Sequence, residues 1–237
     1  MTPSHDLPAG ADSDEAEASE SYAGPLTPGV VAGTTPLPPP QPPARKRPRP
    51  GERRVQILET LATMLQEPGA ERITTAALAA KLDVSEAALY RHFASKAQMF
   101  EGLIEFIEQS VFTLVNQIVE REESAAVQVH KVLGVLLQFG EKNPGMTRVM
   151  VGDALVFENE RLLARMNQFF ERIESQLRQS LRLLAEGAGS ATPTADANAQ
   201  ASVLTSFAIG RLQRFARTGF RKSPTEHLDV ALRLFAI

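Results

Sequence analysis

The stretch ITTAALAAKLDVSEAALYRHF, residues 73–93, decides how this chain is read. Thr74 precedes an alanine-rich run and is a favoured N-cap, because its hydroxyl oxygen can accept from a first-turn N–H that lacks a helical partner. Ser85 offers the same ahead of a second run, and Glu86 sets a negative charge in its first turn, where the helix dipole favours it. Between them Asp83 is short and polar and tolerates the backbone angles of a tight turn. The spacing predicts two short helices, over roughly 75–81 and 85–92. Leu78, Leu82, Val84, Leu89 and Phe93 are the inward positions that join them to a preceding helix, and Ala79 is small where two helices must cross closely.

What remains of the second short helix is one outward face: Ala87, Ala88, Tyr90, Arg91 and His92. A helix of this width fits the major groove of duplex DNA. Ala87 or Ala88 can approach a thymine methyl, while Tyr90, Arg91 and His92 can donate to phosphates or base edges. Thr74 and Thr75, and Lys96 at the start of the next helix, can reach phosphates. Ser85 stands at the same edge. Two short helices with a polar turn also occur in helical proteins that never meet DNA, where Tyr90 and His92 are ordinary surface residues.

Charge distribution favours the DNA reading. The net charge of the 237 residues is −3, but the average hides a segregation. Residues 1–44 carry six acids and no Lys or Arg; residues 45–54 carry six bases, Arg53 and Arg54 among them, and one acid. A basic stretch therefore leads into the first helix, placed to contact phosphates or a minor groove. The leader, residues 1–50, is rich in Pro, Ala, Ser, Gly and acids and is expected to be disordered, since it holds too little apolar surface to offset its ordering entropy.

Downstream the pattern is helical throughout and the fold class is all-α. Ile57, Leu58, Leu61, Met64 and Leu65 mark a first helix, stopped by Pro68 and Gly69. A long helix is expected over about 96–121, with Met99, Leu103, Phe106, Ile107, Val111 and Leu114 on one broad face. Further helices are expected near 124–142, 146–152, 158–186, 199–219 and 226–236, with Asn143-Pro144-Gly145 as a stop and residues 187–198 as a loop. Three parts result: the leader (1–50), a helix-turn-helix DNA-binding domain (51–95) and a C-terminal helical domain (96–237). In that last part, stripes at Leu162, Met166, Phe169, Phe170, Ile173, Leu177, Leu181 and Leu184, and at Leu204, Phe207, Ala208, Leu212 and Phe215, suit either a four-helix interface between two copies or an intramolecular core.

The absence of cysteine excludes disulfides and thiol chemistry, and the four histidines are scattered. No glycine-rich phosphate loop or nucleophile elbow is present, so no catalytic residue, metal or cofactor is expected, and the chain is not expected to be an enzyme. No apolar run approaches a membrane span and no signal sequence opens the chain, so a cytoplasmic protein is expected.

The segment ITTAALAAKLDVSEAALYRHFASKAQMF, with its L-Y-x-H-F-x-S-K ending, resembles the DNA-binding domain of the TetR family. The likeness continues through LIEFIEQS (103–110), FGEKNPGMTRVMVGDALVFENERL (139–162) and NQFFERIESQLRQ (167–179), where the chain is similar to the nucleoid-occlusion branch of that family. The resemblance implies a TetR-like fold, with a three-helix helix-turn-helix domain and a C-terminal dimerisation domain. It further implies a homodimer on a palindromic site, with one or several dimers per site. For the nucleoid-occlusion branch it implies capture of the C-terminal tail of FtsZ, the tubulin-like division protein, by the DNA-bound form. Phe106 falls in the family's E-F-I segment, and Lys142 and Asn143 in its G-E-[RK]-N-P-G segment, which makes these three the partner-binding candidates. Read without the resemblance, Phe106 suits the core and Asn143 merely ends a helix. The alternative within the family is a ligand-responsive repressor, which calls for an enclosed apolar cavity among the C-terminal helices. Asp83 stands where the family commonly has glycine, and Leu114 and Gln138 depart from closer relatives.

Overall fold

The computed structural model describes residues 51–67 and 72–235, and those from 51 onward pack as one compact unit. The leader, its basic residues 45–49, and the stop read at Pro68 and Gly69 lie outside the described residues. Among the described residues there are nine α-helices, one short 3-10 turn and no strand.

The first helix, α1 (Glu52–Met64), buries Ile57 and Leu61 and packs on α2 (Thr75–Lys81) and the long α4 (Lys96–Arg121), while α2 packs on α3 (Glu86–Tyr90). The caps fall where the residue types place them. The Thr74 hydroxyl accepts from Ala77 N at 3.1 Å, Ser85 from Ala88 N at 3.3 Å and Ser95 from Gln98 N at 3.2 Å. Asp83 takes φ 54°, in the left-handed region that glycine adopts most easily and that aspartate tolerates better than most residues. Helix α3 is shorter than its expected 85–92: it ends at Tyr90, and His92 N and Phe93 N both turn back to the Leu89 carbonyl. The chain breaks there to sink Phe93 into the core before Ser95 opens α4.

Helix α4, 26 residues or about 39 Å long, is shared by the three-helix unit and the C-terminal body. It packs on α5 (Ala125–Lys142), whose N-cap is Ser124. The sequence pattern grouped Phe106 and Leu114 with the apolar face of α4. Instead Met99, Leu103, Ile107 and Val111 are buried, while Phe106 and Leu114 stand exposed on the flank.

Asn143-Pro144-Gly145 does more than end a helix. Pro144 opens α6 (Pro144–Met150), two residues earlier than expected, because its fixed φ suits a first helical position. Gly145 lets α6 press on α1: a Cβ there would stand 2.0 Å from the Ala62 carbonyl oxygen. A 3-10 turn (Asp153–Leu155) then leads to α7 (Glu160–Gly187).

The expected loop over 187–198 is mostly helix, since α8 (Pro193–Arg217) begins at Pro193. Proline again suits the first turn, the following run is rich in alanine, and Asp196 accepts from the hydroxyls of Ser190 and Thr192. Helices α7 and α8 pair along most of their length, aided by small Ala197, Ala201 and Ala208 on α8. The α7 stripe from Leu162 to Leu181, with Leu204, Ala208 and Leu212 of α8, is buried within this chain. Leu183 and Val203 are the large apolar side chains that α7 and α8 leave exposed on their C-terminal and N-terminal halves respectively. The last helix, α9 (Leu228–Leu234), follows His227 in the left-handed region and packs Leu228 and Leu232 inward; residues 236–237 lie outside the described part.

Candidate nucleic-acid interface

Helix α3 presents an uninterrupted outer surface. Ala87, Tyr90, Arg91 and His92 are exposed, Ala88 is half-buried, and only Leu89 turns fully inward. Tyr90 keeps 46 % of its surface exposed although it is aromatic, which leaves both ring and hydroxyl available. Arg91 and His92 project from the turn that follows α3 rather than from the helix itself.

Several of the expected DNA contacts have work inside the protein. The Thr75 hydroxyl donates to Glu86 Oε2 at 2.6 Å and so ties α2 to α3. Arg53 Nη1 donates to Gln56 Oε1 at 2.8 Å along α1. Arg54 does more: its Nη1 donates to the His92 carbonyl at 2.5 Å, and its guanidinium lies 4.1 Å from the Phe93 ring centroid. The start of α1 is therefore fastened to the end of α3. Lys96 forms an ion pair with Glu158, just ahead of α7, and both side chains are largely shielded, at 25 % and 10 % exposure. Sequence reasoning missed the roles of Glu86, Glu158 and the His92 carbonyl. No local signal marks them, since Arg54 and Lys96 reach partners 38 and 62 residues away.

Of the partner-binding candidates, Phe106 sits midway along α4, and Lys142 and Asn143 at the end of α5. Phe106 is 48 % exposed and its ring tilts at 44° against Phe139 of α5, with centroids 6.4 Å apart. Lys142 is exposed at the end of α5, while the Asn143 amide donates to the Phe139 carbonyl at 2.8 Å. Farther along α4 and α5 an open groove of about 800 Å³ is lined by Leu114, Gln138, Val135 and Lys131, with Leu228 and Val230 of α9 as its other wall. Phe106, Lys142 and Asn143 lie beyond the lining of this groove, and α9 is a wall the sequence did not suggest. The pockets described among the C-terminal helices are open clefts, and Val129, Leu133, Leu136, Ile173 and Leu177 fill the space between α5 and α7. Among the described residues no group of acidic or histidine side chains is placed to hold a metal, and no helix is long and apolar enough to cross a membrane.

Two family models match the chain in succession. Residues 57–103 match that of the bacterial regulatory proteins of the tetR family, and residues 123–236 that of the tetracyclin repressor-like, SlmA-like C-terminal domain. A protein from Colwellia psychrerythraea named nucleoid occlusion factor SlmA is 53 % identical over 175 residues, covering 73 % of this chain and 87 % of its own. Its namesake from Salmonella dublin is 48 % identical over 196 residues, covering 81 % and 98 %.

The chain belongs to the SlmA branch of the TetR family.

Like other TetR-type chains, this SlmA-branch member carries a DNA-binding domain followed by a C-terminal domain. Solved TetR-type structures share its fold. The regulator PfmR from Thermus thermophilus superposes with a TM-score of 0.62 at 20 % identity, covering 76 % of this chain and 96 % of its own. The fatty acid degradation regulator FadR from Bacillus halodurans does so at 0.63 and 13 % identity, covering 78 % and 95 %.

Proposed function

We propose that this chain is a DNA-activated nucleoid occlusion factor. As a homodimer it reads palindromic DNA with the outer face of α3, through Ala87, Ala88, Tyr90, Arg91 and His92, with Thr74, Ser85 and Arg53 at the phosphates. One or several dimers occupy each site. Bound to DNA, it captures the C-terminal tail of FtsZ beside α4 and α5 and antagonises FtsZ polymers, so that division is blocked over the nucleoid. Residues 51–95 serve as the reading domain and residues 96–237 as the dimerisation and partner-binding domain. Its place of action is the cytoplasm, on the chromosome, and it uses no cofactor.

The observation that carries this reading is the 48–53 % identity to proteins named nucleoid occlusion factor SlmA, which spans the reading unit and the C-terminal body alike. Phe106 adds to it. A phenylalanine that keeps half its surface in water against Phe139, with the cation Lys142 exposed three residues after Phe139 on α5, suits an extended tail of acidic and apolar residues. A ligand-controlled repressor needs an enclosed apolar chamber, and the clefts described among the C-terminal helices are open. Light scattering of FtsZ with GTP tests the proposal: the signal falls when both the protein and its DNA site are added. Polymer unchanged with DNA present sinks it.

A further inference from the structure

Three ion pairs run from α4 to α7 and the turn before it. Lys96 pairs with Glu158, Arg161 with Glu101 at 2.7 Å, and Arg165 with Glu108 through two parallel hydrogen bonds of 3.1 and 2.5 Å. Their order is the same along both segments, and they are spread over residues 96–108 of α4, about 18 Å. The pairs at Glu101 and Glu108 fasten the body of α4, whereas the pair at Lys96 fastens its first turn, the end that carries α2 and α3. The first rung stands at the first residue of α4, directly after Phe93 and the reading helix. It is also the most shielded of the three, with Glu158 only 10 % exposed, so it is screened least by solvent. Lys96 further lies 5.6 Å from the Phe100 ring centroid, which holds its ammonium on the protein side.

We infer that Glu158 is a positioning residue for DNA recognition: by holding Lys96 it locks the first turn of α4, and the reading unit behind it, to α7, and so sets the half-site spacing that a dimer accepts. This rests on the reading of the chain as a palindrome-binding dimer built on its C-terminal helices. In such a dimer the separation of the two α3 helices must match the repeat of the duplex. One freedom that changes it is the angle between the reading unit and the dimerisation helices. Lys96, which the sequence offers as a phosphate contact, then acts through Glu158 instead.

The two roles of Lys96 predict different measurements. The probe is a duplex palindrome recovered from a random pool by the full-length wild-type chain, remade with one base pair added or removed between half-sites. Wild type is expected to lose roughly tenfold in affinity on either change. Glu158→Gln is expected to bind the parent site nearly as well but to narrow that penalty to about threefold, because the loosened unit samples several angles. Lys96→Gln should behave alike, with no change in the salt dependence of binding. The exchanged pair Lys96→Glu with Glu158→Lys should restore discrimination, which separates loss of the strut from loss of folding. An unaltered spacing profile in Glu158→Gln overturns the inference. So does a Lys96→Gln variant that weakens every spacing equally and lowers the salt slope by about 1, the signature of a lost phosphate contact. Wild type that selects no palindrome at all overturns the DNA reading itself, and the inference with it.

Discussion

Arg54 and His92 are joined by a hydrogen bond of 2.5 Å between the arginine Nη1 and the histidine carbonyl oxygen, while the same guanidinium covers the Phe93 ring. The start of α1 therefore holds the end of α3. Arg54→Ala removes a charge-assisted bond and a cation–π contact and should cost about 1 kcal/mol of stability in this exposed setting. Specific DNA binding should fall more than non-specific binding, since the reading helix loses its fixed orientation. Anisotropy titrations against specific and scrambled duplexes compare the two. An equal loss on both duplexes would mean that Arg54 serves as a plain phosphate contact.

Tyr90 and Thr74 separate contact from scaffold. Tyr90 is half exposed and lies outside the buried core, so Tyr90→Ala should weaken specific DNA binding by about 1–3 kcal/mol and change the melting temperature little. Thr74 caps α2 through Ala77 N, so Thr74→Ala should lower stability by about 1 kcal/mol as well as weaken DNA binding. Thermal melts beside binding titrations check both. Unchanged affinity in the pair would move the reading face away from α3.

Gly145 admits no side chain. A methyl group at this position would meet the Ala62 carbonyl, which is backbone and cannot rotate away. Gly145→Ala should therefore push α6 off α1 and destabilise the fold by about 1–3 kcal/mol or more. Denaturant unfolding measures the loss, and a variant as stable as wild type would contradict so close an approach of α1 and α6.

Glu141 supplies a pH dependence. Hydrogen bonds from Ser223 and then Thr225, the latter 2.6 Å long, hold its carboxyl below the ordinary carboxylate value, against a smaller opposing effect of desolvation. A lowered folded-state value means that this stabilisation is complete above the unfolded carboxylate pKa and is lost as pH falls through the folded one. Acidification through that window should loosen the segment before α9, and Glu141→Gln should remove this part of the acid sensitivity. Melting curves of both proteins from neutral to acidic pH decide it. Parallel curves would show that Glu141 contributes nothing.

Much of this architecture is legible because its signals are local. Thr74 and Ser85 cap helices at the positions their side chains announce, and Asp83 marks its turn. Local signals mislead where one residue type serves two ends of a helix. Pro144 and Pro193 read as breakers, yet each opens a helix. Periodicity also cannot tell a buried flank from an exposed one, which is why Phe106 and Leu114 were grouped with Leu103 and Ile107. The outer face of α3 follows from residue pattern alone. The fastening of that face by Arg54 and Lys96 depends on partners brought close only by the fold, Glu158 chief among them.

The most direct test of the nucleoid-occlusion reading is fluorescence anisotropy of a labelled peptide of the FtsZ C-terminal tail, titrated with the full-length chain in the presence and absence of its palindromic DNA site. The peptide should bind, more tightly when DNA is present, and Phe106→Ala should abolish that binding while leaving DNA affinity intact. Tight DNA binding with no peptide binding in either condition would contradict it.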